Sequence, residues 1–318
     1  MRVLVTGASG MLGGSLARAL AARGDEVTVF QRRPAGLACA QVLGDVADHD
    51  AVRAATAGQE AVVHLAARVS VTGRWADFVR TNVTGTAHVL DAARGAGVRS
   101  VVHVSSPSVA HSGRSIVGEG AAPADPDHAH GHYARSKAVA ERLALAAAGL
   151  KVVAVRPHLV WGPGDTQLVG RILDRARAGR LALVGPGTAL VDTTYVDNAV
   201  DAIIAALDRA EQVAGAAFVV SNGQPRPLAE LVQRICASAG LQAPRRHVPY
   251  PLARAGGALA ELAWAGLRRQ DDPPMTRFLA EQLATAHWFD LRQTRAALDW
   301  APRVDLDEGF RRLAASSS

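Results

Sequence analysis

Tyr133 and Lys137 stand four residues apart in the run Tyr-Ala-Arg-Ser-Lys, one turn along the same face of a helix. At that spacing an ammonium group can lower a phenol's pKa and make it a usable acid/base near neutral pH. Of 35 basic side chains only Lys137 and Lys151 are lysines, and the rest are arginines. Arginine cannot readily share or lose its proton, and its planar fork has a different shape, so a lysine here carries information. Ser105 and Ser106 close an apolar run, and one hydroxyl there can hydrogen-bond a carbonyl oxygen beside the phenol.

The chain opens Thr6-Gly7-Ala8-Ser9-Gly10-Met11-Leu12-Gly13 between a strand-like and a helix-like segment. Gly7 permits the tight turn, Gly10 lets backbone approach a pyrophosphate, and Gly13 allows close helix packing. The N–H groups at the helix start, around Ser9, Met11 and Leu12, then face the phosphates. This predicts dinucleotide binding. The next strand ends Val29-Phe30-Gln31-Arg32-Arg33, with no acid to hold a ribose 2′-hydroxyl. Arg32 and Arg33 suit a 2′-phosphate, which predicts NADPH rather than NAD. Asp45, in Gly44-Asp45-Val46, follows a third strand and can accept from an adenine amino group. Leu65, Ala66 and Ala67 follow the fourth strand, where a cofactor would pass.

These residues need a scaffold that brings strand ends to one edge. Strand-like runs are Val3–Thr6, Glu26–Phe30, Ala61–Leu65, Ser100–Ser105 and Val152–Arg156. Helix-like, alanine-rich segments lie between them: Met11–Arg23, His49–Ala57, Phe78–Ala96 and Tyr133–Ala148. Short buried strands alternating with amphipathic helices predict an α/β fold, a doubly wound parallel sheet of Rossmann type. Beyond Trp161-Gly-Pro-Gly164 the pattern loosens. Val191–Val196 and Ala217–Val220 read as strands returning to the main sheet. Leu228–Ala239, Leu252–Leu267, Leu291–Leu298 and Asp307–Leu313 read as helices of a smaller lobe over the sheet's carboxyl edge. The expected division is a cofactor domain over 1–160, to which 189–222 partly returns, and a substrate lobe over 161–188 and 223–318.

The 318 residues are 49% hydrophobic, ample for a packed core, and carry a net charge of +6. No basic run exceeds two residues, so the charge points to an anionic small molecule rather than to nucleic acid. Cys39 and Cys236 form neither a disulfide framework nor a metal quartet. His128, His130 and His132 alternate just before Tyr133, and no metal is expected there, since hydride chemistry has no step for one. Met1 leads straight into a strand, and no apolar run reaches the roughly 20 residues that span a bilayer, so a cytoplasmic location is expected. Leu252–Leu267 would extend about 24 Å as a helix. With Arg245-Arg246 before it and Arg268-Arg269 after it, the stretch 245–269 can line an acyl tunnel, rest on a membrane surface or simply pack.

Together the motifs resemble the extended short-chain dehydrogenase/reductase superfamily. They are TGASGMLG, GDV at 44–46, HLAA at 64–67, TNVTGT at 81–86, VSSPSV at 104–109, YARSK at 133–137 and RPHLVWGPGD at 156–165. VDTTYVDNAVDA at 191–202, SNGQPRPLAEL at 221–231 and PMTRFLAEQLATAHWFD at 274–290 are similar to the 3β-hydroxysteroid dehydrogenase branch. Within that branch they most resemble bacterial 2-alkyl-3-oxoalkanoate reductases of long-chain olefin biosynthesis. The resemblance implies NADPH-dependent reduction of a β-keto acid with two long alkyl arms. It implies Tyr133 as proton donor, Lys137 on the nicotinamide ribose and Ser106 on the substrate oxygen. It also implies a place for Asn82 in the site, and contact of Pro157 and the backbone at Leu159 and Val160 with the nicotinamide carboxamide. Arg68 is the expected partner of a substrate carboxylate, with Ser108 and Trp161 beside the substrate. Expected partners are this lipid-like acid, a second copy of the chain and other olefin-pathway enzymes. Alternatives are a sterol or steroid 3β-dehydrogenase, a sugar-nucleotide epimerase, and an NADP-sensing regulator, which would not need Tyr133 and Lys137. Sugar-nucleotide dehydratases carry an acidic pair beside the active-site hydroxyl, whereas Pro107 and Ser108 follow Ser106 here.

Overall fold

The computed structural model describes residues 1–70, 72–111, 113–267 and 273–317. Arg268 and Arg269, read above as the basic flank of Leu252–Leu267, lie outside the described residues.

Seven strands form the central sheet, in the order Ala217–Val220, Lys151–Pro157, Ser100–Val104, Ala61–His64, Arg2–Thr6, Glu26–Gln31 and Ala40–Leu43. Every neighbouring pair is parallel. All but the largely exposed edge strand Ala40–Leu43 are mainly apolar, because both of their faces are covered. Val3, Val5, Val102, Val104, Val153 and Val155 face one layer, while Leu4, Val62, Val101 and Val152 face the other. The helices Met11–Ala22 and Val196–Asp208 pack together on the first face. His49–Thr56, Gly85–Gly95 and Gly131–Leu145 cover the second. All seven strands point the same way, so their carboxyl ends, and the motifs that follow them, share one edge.

Of the two segments expected to return to this sheet, Ala217–Val220 does so, beside Lys151–Pro157. Val191–Val196 does not. Leu190–Val191 belongs to a separate sheet with Arg226–Pro227, His287–Phe289 and Ile116–Glu119, and Thr194–Tyr195 pairs with Val160–Trp161. At Val196 the pattern becomes helical, with Val196, Ala199, Val200, Ile203 and Leu207 buried on one face. That helix covers the sheet beside Met11–Ala22. A further apolar core is built around Trp161, Tyr195, Leu231, Ile235 and Phe310.

One buried ion pair fixes the helix that carries Tyr133 and Lys137. Glu141 and Arg156 are each 1% exposed. Arg156 Nε donates to Glu141 Oε2 at 2.8 Å, a second guanidinium nitrogen donates to Oε1, and Nη1 donates to the Ala122 carbonyl at 2.6 Å. This clamp joins helix Gly131–Leu145, strand Lys151–Pro157 and the loop before the helix. Among the described residues no helix is long and apolar enough to cross a membrane. Helix Tyr250–Gly266 leaves Leu252, Leu259 and Leu262 exposed.

Candidate active site

Tyr133 and Lys137 share the first turns of helix Gly131–Leu145. Burial pushes the Tyr133 phenol up from its ordinary value, and a hydrogen bond with Ser106 pulls it back down. Lys137, expected to lower the phenol's pKa, directs its ammonium toward backbone on the neighbouring strand. The lysine is 3% exposed, and its Nζ donates to the Val104 carbonyl at 2.7 Å, with His103 Nε2 at 3.5 Å. Burial lowers its pKa to about 8, with Glu141 opposing that shift. An ammonium group has three N–H bonds, so at least one remains for a ribose hydroxyl.

Ser106 caps the short 3₁₀ turn Pro107–Ala110. Its Oγ accepts from Ser108 N–H at 3.3 Å and from the Ser108 hydroxyl at 2.9 Å. With both acceptor positions used, the Ser106 proton is left for the phenol oxygen, which accounts for the downward pull on Tyr133.

Asn82 is buried within a widened π turn, Val79–Thr84, in the continuous helix Trp75–Gly95. Its Oδ1 accepts from Arg68 N–H at 2.7 Å. Its Nδ2 donates to the Arg68 carbonyl at 3.2 Å and to Ser136 Oγ at 2.8 Å. Asn82 thus ties the loop after His64 to the helix of Tyr133. His64 extends this scaffold. Thr6 Oγ1 accepts the Leu65 and Ala66 N–H groups, both at 3.1 Å, so its own proton goes to His64 Nδ1 at 2.8 Å. His64 Nε2–H therefore donates to Thr86 Oγ1 at 3.0 Å, and Thr86 donates to the Asn82 carbonyl at 2.6 Å. Burial holds this imidazole neutral, its pKa lowered to about 3.

The glycine turn has the geometry its spacing predicts. Gly7 sits at φ +79°, and a Cβ there would lie 2.8 Å from Ala66 N. A Cβ on Gly13 would lie 2.5 Å from the Gly7 carbonyl oxygen. Gly10 is different: the nearest atom to its Cβ would be at an ordinary 3.6 Å. Nothing in the chain requires glycine there, whereas a ligand approaching the backbone does. The helix Met11–Ala22 that follows has no side-chain cap and no acid in its first turn. Its first N–H groups are thus available to an anion. Arg32 and Arg33 are exposed just past strand Glu26–Gln31. Asp45 accepts from Ala47 N–H at 3.0 Å and from Arg80 at 3.1 Å. Val46 is buried against Gly85, whose Cβ would lie 2.7 Å from Val46 Cγ2. These residues can hold a dinucleotide along the sheet edge. Pro157 ends the strand beside them, and Leu159 then adopts a left-handed φ of +42°. Thr194 N–H donates to the Leu159 carbonyl at 3.2 Å, and Val160 pairs with Thr194.

A cavity of about 200 Å³ opens where Ser106 and Tyr133 face Phe278, His287 and Phe289. Ser70, Ser108, His111, His158, Gln282 and His287 supply its other inner polar groups; Ile116, Phe278 and Phe289 supply apolar wall. Val69, Leu159, Gln167 and Arg171 are its exposed members. Two expected substrate residues are elsewhere. Arg68 turns its guanidinium over the Phe78 ring, 5.3 Å from the centroid. Trp161 is core, stacked on Phe310 with centroids 4.4 Å apart and donating to Thr193 Oγ1 at 2.9 Å. The cationic member of the wall is Arg171, on a helix, Val169–Arg177, that the sequence reading passed over. His128, His130 and His132 have three separate partners: Asp125, Glu281 and the Gly73 carbonyl. The inner histidines were missed because each is a lone residue in sequence, and only the fold assembles them.

The comparisons with known proteins agree with this geometry. A model of the NAD dependent epimerase/dehydratase family matches residues 3–221. The chain is 42% identical, over the full length of both proteins, to a 2-alkyl-3-oxoalkanoate reductase of Stenotrophomonas maltophilia (strain K279a). It is 30% identical to the decarboxylating sterol-4-alpha-carboxylate 3-dehydrogenase of Homo sapiens, over 99% of this chain and 88% of that one. Among solved structures, MoeE5 in complex with UDP-glucose and NAD superposes with a TM-score of 0.78 at 26% identity, covering 100% of this chain and 98% of that one. The chain belongs to the NAD dependent epimerase/dehydratase family, the extended short-chain dehydrogenase/reductases. It is a nicotinamide-dependent oxidoreductase.

Proposed function

We propose that this enzyme reduces the 3-oxo group of a long-chain 2-alkyl-3-oxoalkanoate to the 3-hydroxy acid, with NADPH. The observation that carries the reading is the cavity: Ser106 and Tyr133 form a polar end, and the walls beyond are largely apolar. The full-length similarity to a reductase of that name supports the same substrate class.

When bound, the reduced nicotinamide supplies a hydride. Gly7, Ser9, Gly10, Met11, Leu12 and Gly13 hold the pyrophosphate, and Arg32 and Arg33 hold the 2′-phosphate. Asp45 and Val46 border the adenine, while Leu65, Ala66 and Ala67, with Asn82 behind them, border the sugar. Pro157, Leu159 and Val160 meet the carboxamide. Lys137 donates to the ribose. Tyr133 gives its proton to the oxygen as it becomes an alkoxide, and its upward-shifted pKa keeps that proton available at neutral pH. With substrate bound, the Ser106 hydroxyl turns its proton to the same oxygen, while Ser108 continues to donate to Ser106.

The cavity accommodates the head of such an acid and the start of its arms. The exposed Leu252, Leu259 and Leu262 give helix Tyr250–Gly266 an apolar face for the lipid or for a membrane surface that carries it. The test is kcat/KM across a chain-length series of 3-hydroxy acids, with a sterol and a UDP-sugar as controls. A steep rise with length, about 0.8 kcal/mol per buried methylene, is expected until the apolar wall is used up. A flat profile, or faster turnover of the UDP-sugar, removes the lipid assignment, and preference for the sterol moves it to sterol dehydrogenation.

A further inference from the structure

Among the described residues, both ring nitrogens of His111 are buried without a hydrogen-bond partner. The residue is 2% exposed and lines the cavity with Ser106, Ser108 and Tyr133. One 3₁₀ turn carries it there, since His111 N–H donates to the Ser108 carbonyl at 3.2 Å. The two neighbouring imidazoles are engaged by the protein. His158 Nδ1–H donates to the Asp192 carbonyl at 2.6 Å, and His287 Nε2 bonds Thr285 Oγ1 at 3.0 Å. His111 touches His287 only edge-on, with ring centroids 5.0 Å apart. Buried polar groups are ordinarily paired, so an unpaired ring facing a cavity marks a ligand contact. The charged groups acting on it are Glu281, on helix Arg277–Ala284, and His130, which bonds Glu281 at 3.0 Å.

We propose that His111 recognises the substrate carboxylate by donating a ring N–H to it, making the acid group a requirement for efficient turnover. This rests on the reading of the substrate as a β-keto acid. In such an acid the carboxyl carbon is one atom removed from the carbon bearing the oxo group, about 2.5 Å away for ordinary bond lengths and angles. An oxo group held by Ser106 and Tyr133 therefore delivers the carboxylate to the immediately adjoining wall. The segment Ser106–His111 forms that wall. Arg68, the residue expected to do this, is over Phe78, and Arg171 is exposed at the cavity's margin.

The experiment runs in the oxidative direction, with NADP⁺, because 3-hydroxy acids are stable to loss of carbon dioxide. It compares a 2-alkyl-3-hydroxyalkanoate with its methyl ester, for the wild type and for His111→Phe and His111→Asn. Phe keeps a ring of similar shape, and Asn keeps an N–H donor. The wild type should favour the acid. His111→Phe should raise KM for the acid about tenfold, leave kcat and the ester nearly unchanged, and so erase the preference; His111→Asn should recover part of it. Equal losses on acid and ester in both variants, or an acid preference that survives His111→Phe, overturns the role of His111 while leaving the acid substrate in place. A wild type with no preference for the acid overturns both the role and the β-keto acid reading. Should His111→Phe not fold, His111→Leu, which also lacks a donor, takes its place, beside inhibition of the wild-type ester reaction by the free acid: an acid preference that survives in His111→Leu, or a free acid that binds no tighter than the ester, overturns the proposal.

Discussion

Replacing Lys137 by Met should stabilise the ligand-free protein at neutral pH while abolishing turnover. The Lys137 ammonium is 3% exposed, and burial lowers its pKa from 10.5 to about 8. Between those two values the folded state binds fewer protons than the unfolded state, so stability rises with pH across that window. Below pH 8 the cost is fully present, and above 10.5 it is gone. A shift of that size corresponds to about 3 kcal/mol at pH 7. Methionine has a similar length and no charge to bury, but it gives up the charge-assisted hydrogen bond to the Val104 carbonyl, worth about 1.5–3 kcal/mol. The net expectation is stabilisation of about 1 kcal/mol at pH 7, shrinking and then reversing by pH 10.5. Urea unfolding of both proteins at pH 7, 9 and 10.5, read by circular dichroism, measures it. A variant less stable at pH 7, or a difference independent of pH, refutes the account of Lys137 as a destabilising group kept for function.

Gly10→Ala and Gly13→Ala should separate folding from binding. Gly13→Ala meets the Gly7 carbonyl at 2.5 Å and should lower Tm, whereas Gly10→Ala should leave Tm unchanged and weaken NADPH binding about tenfold in a fluorescence titration. Arg32→Ala with Arg33→Ala should weaken NADPH about tenfold or more and NADH little, because a charge-assisted phosphate contact is worth about 1.5–3 kcal/mol; equal losses for both cofactors exclude the 2′-phosphate role. Glu141→Ala should cost about 3–5 kcal/mol in urea unfolding, since it strands a buried guanidinium.

Six strands of the sheet were legible because they are buried on both faces, which turns each into a short apolar run that no helix pattern matches; the exposed edge strand Ala40–Leu43 has no such run. The glycine turn was legible because Gly7 and Gly13 answer to local backbone geometry. The helix Val196–Asp208 was not read in the sequence, although its 3-4 spacing is present, because Val191–Val196 reads equally well as an extended run. The position of the Arg68 side chain was not legible, because nothing in its neighbourhood announces that it will lie over Phe78. The pairing of Lys137 with the Tyr133 phenol is a statement about spacing, and the carbonyl of Val104, thirty-three residues earlier, decides where the ammonium goes. His111, His158 and His287 come from distant segments and carry no shared motif, so only the closed fold reveals them as one wall.

The most direct test of the account follows NADPH absorbance while purified enzyme meets a 2-alkyl-3-oxoalkanoate, for the wild type and for Tyr133→Phe, with cofactor binding titrated on the same samples. The account predicts rapid oxidation by the wild type, a loss of at least about a hundredfold in the variant, and unchanged NADPH affinity. Turnover by Tyr133→Phe within a few-fold of the wild type would contradict it, because the phenol would then not be the proton donor.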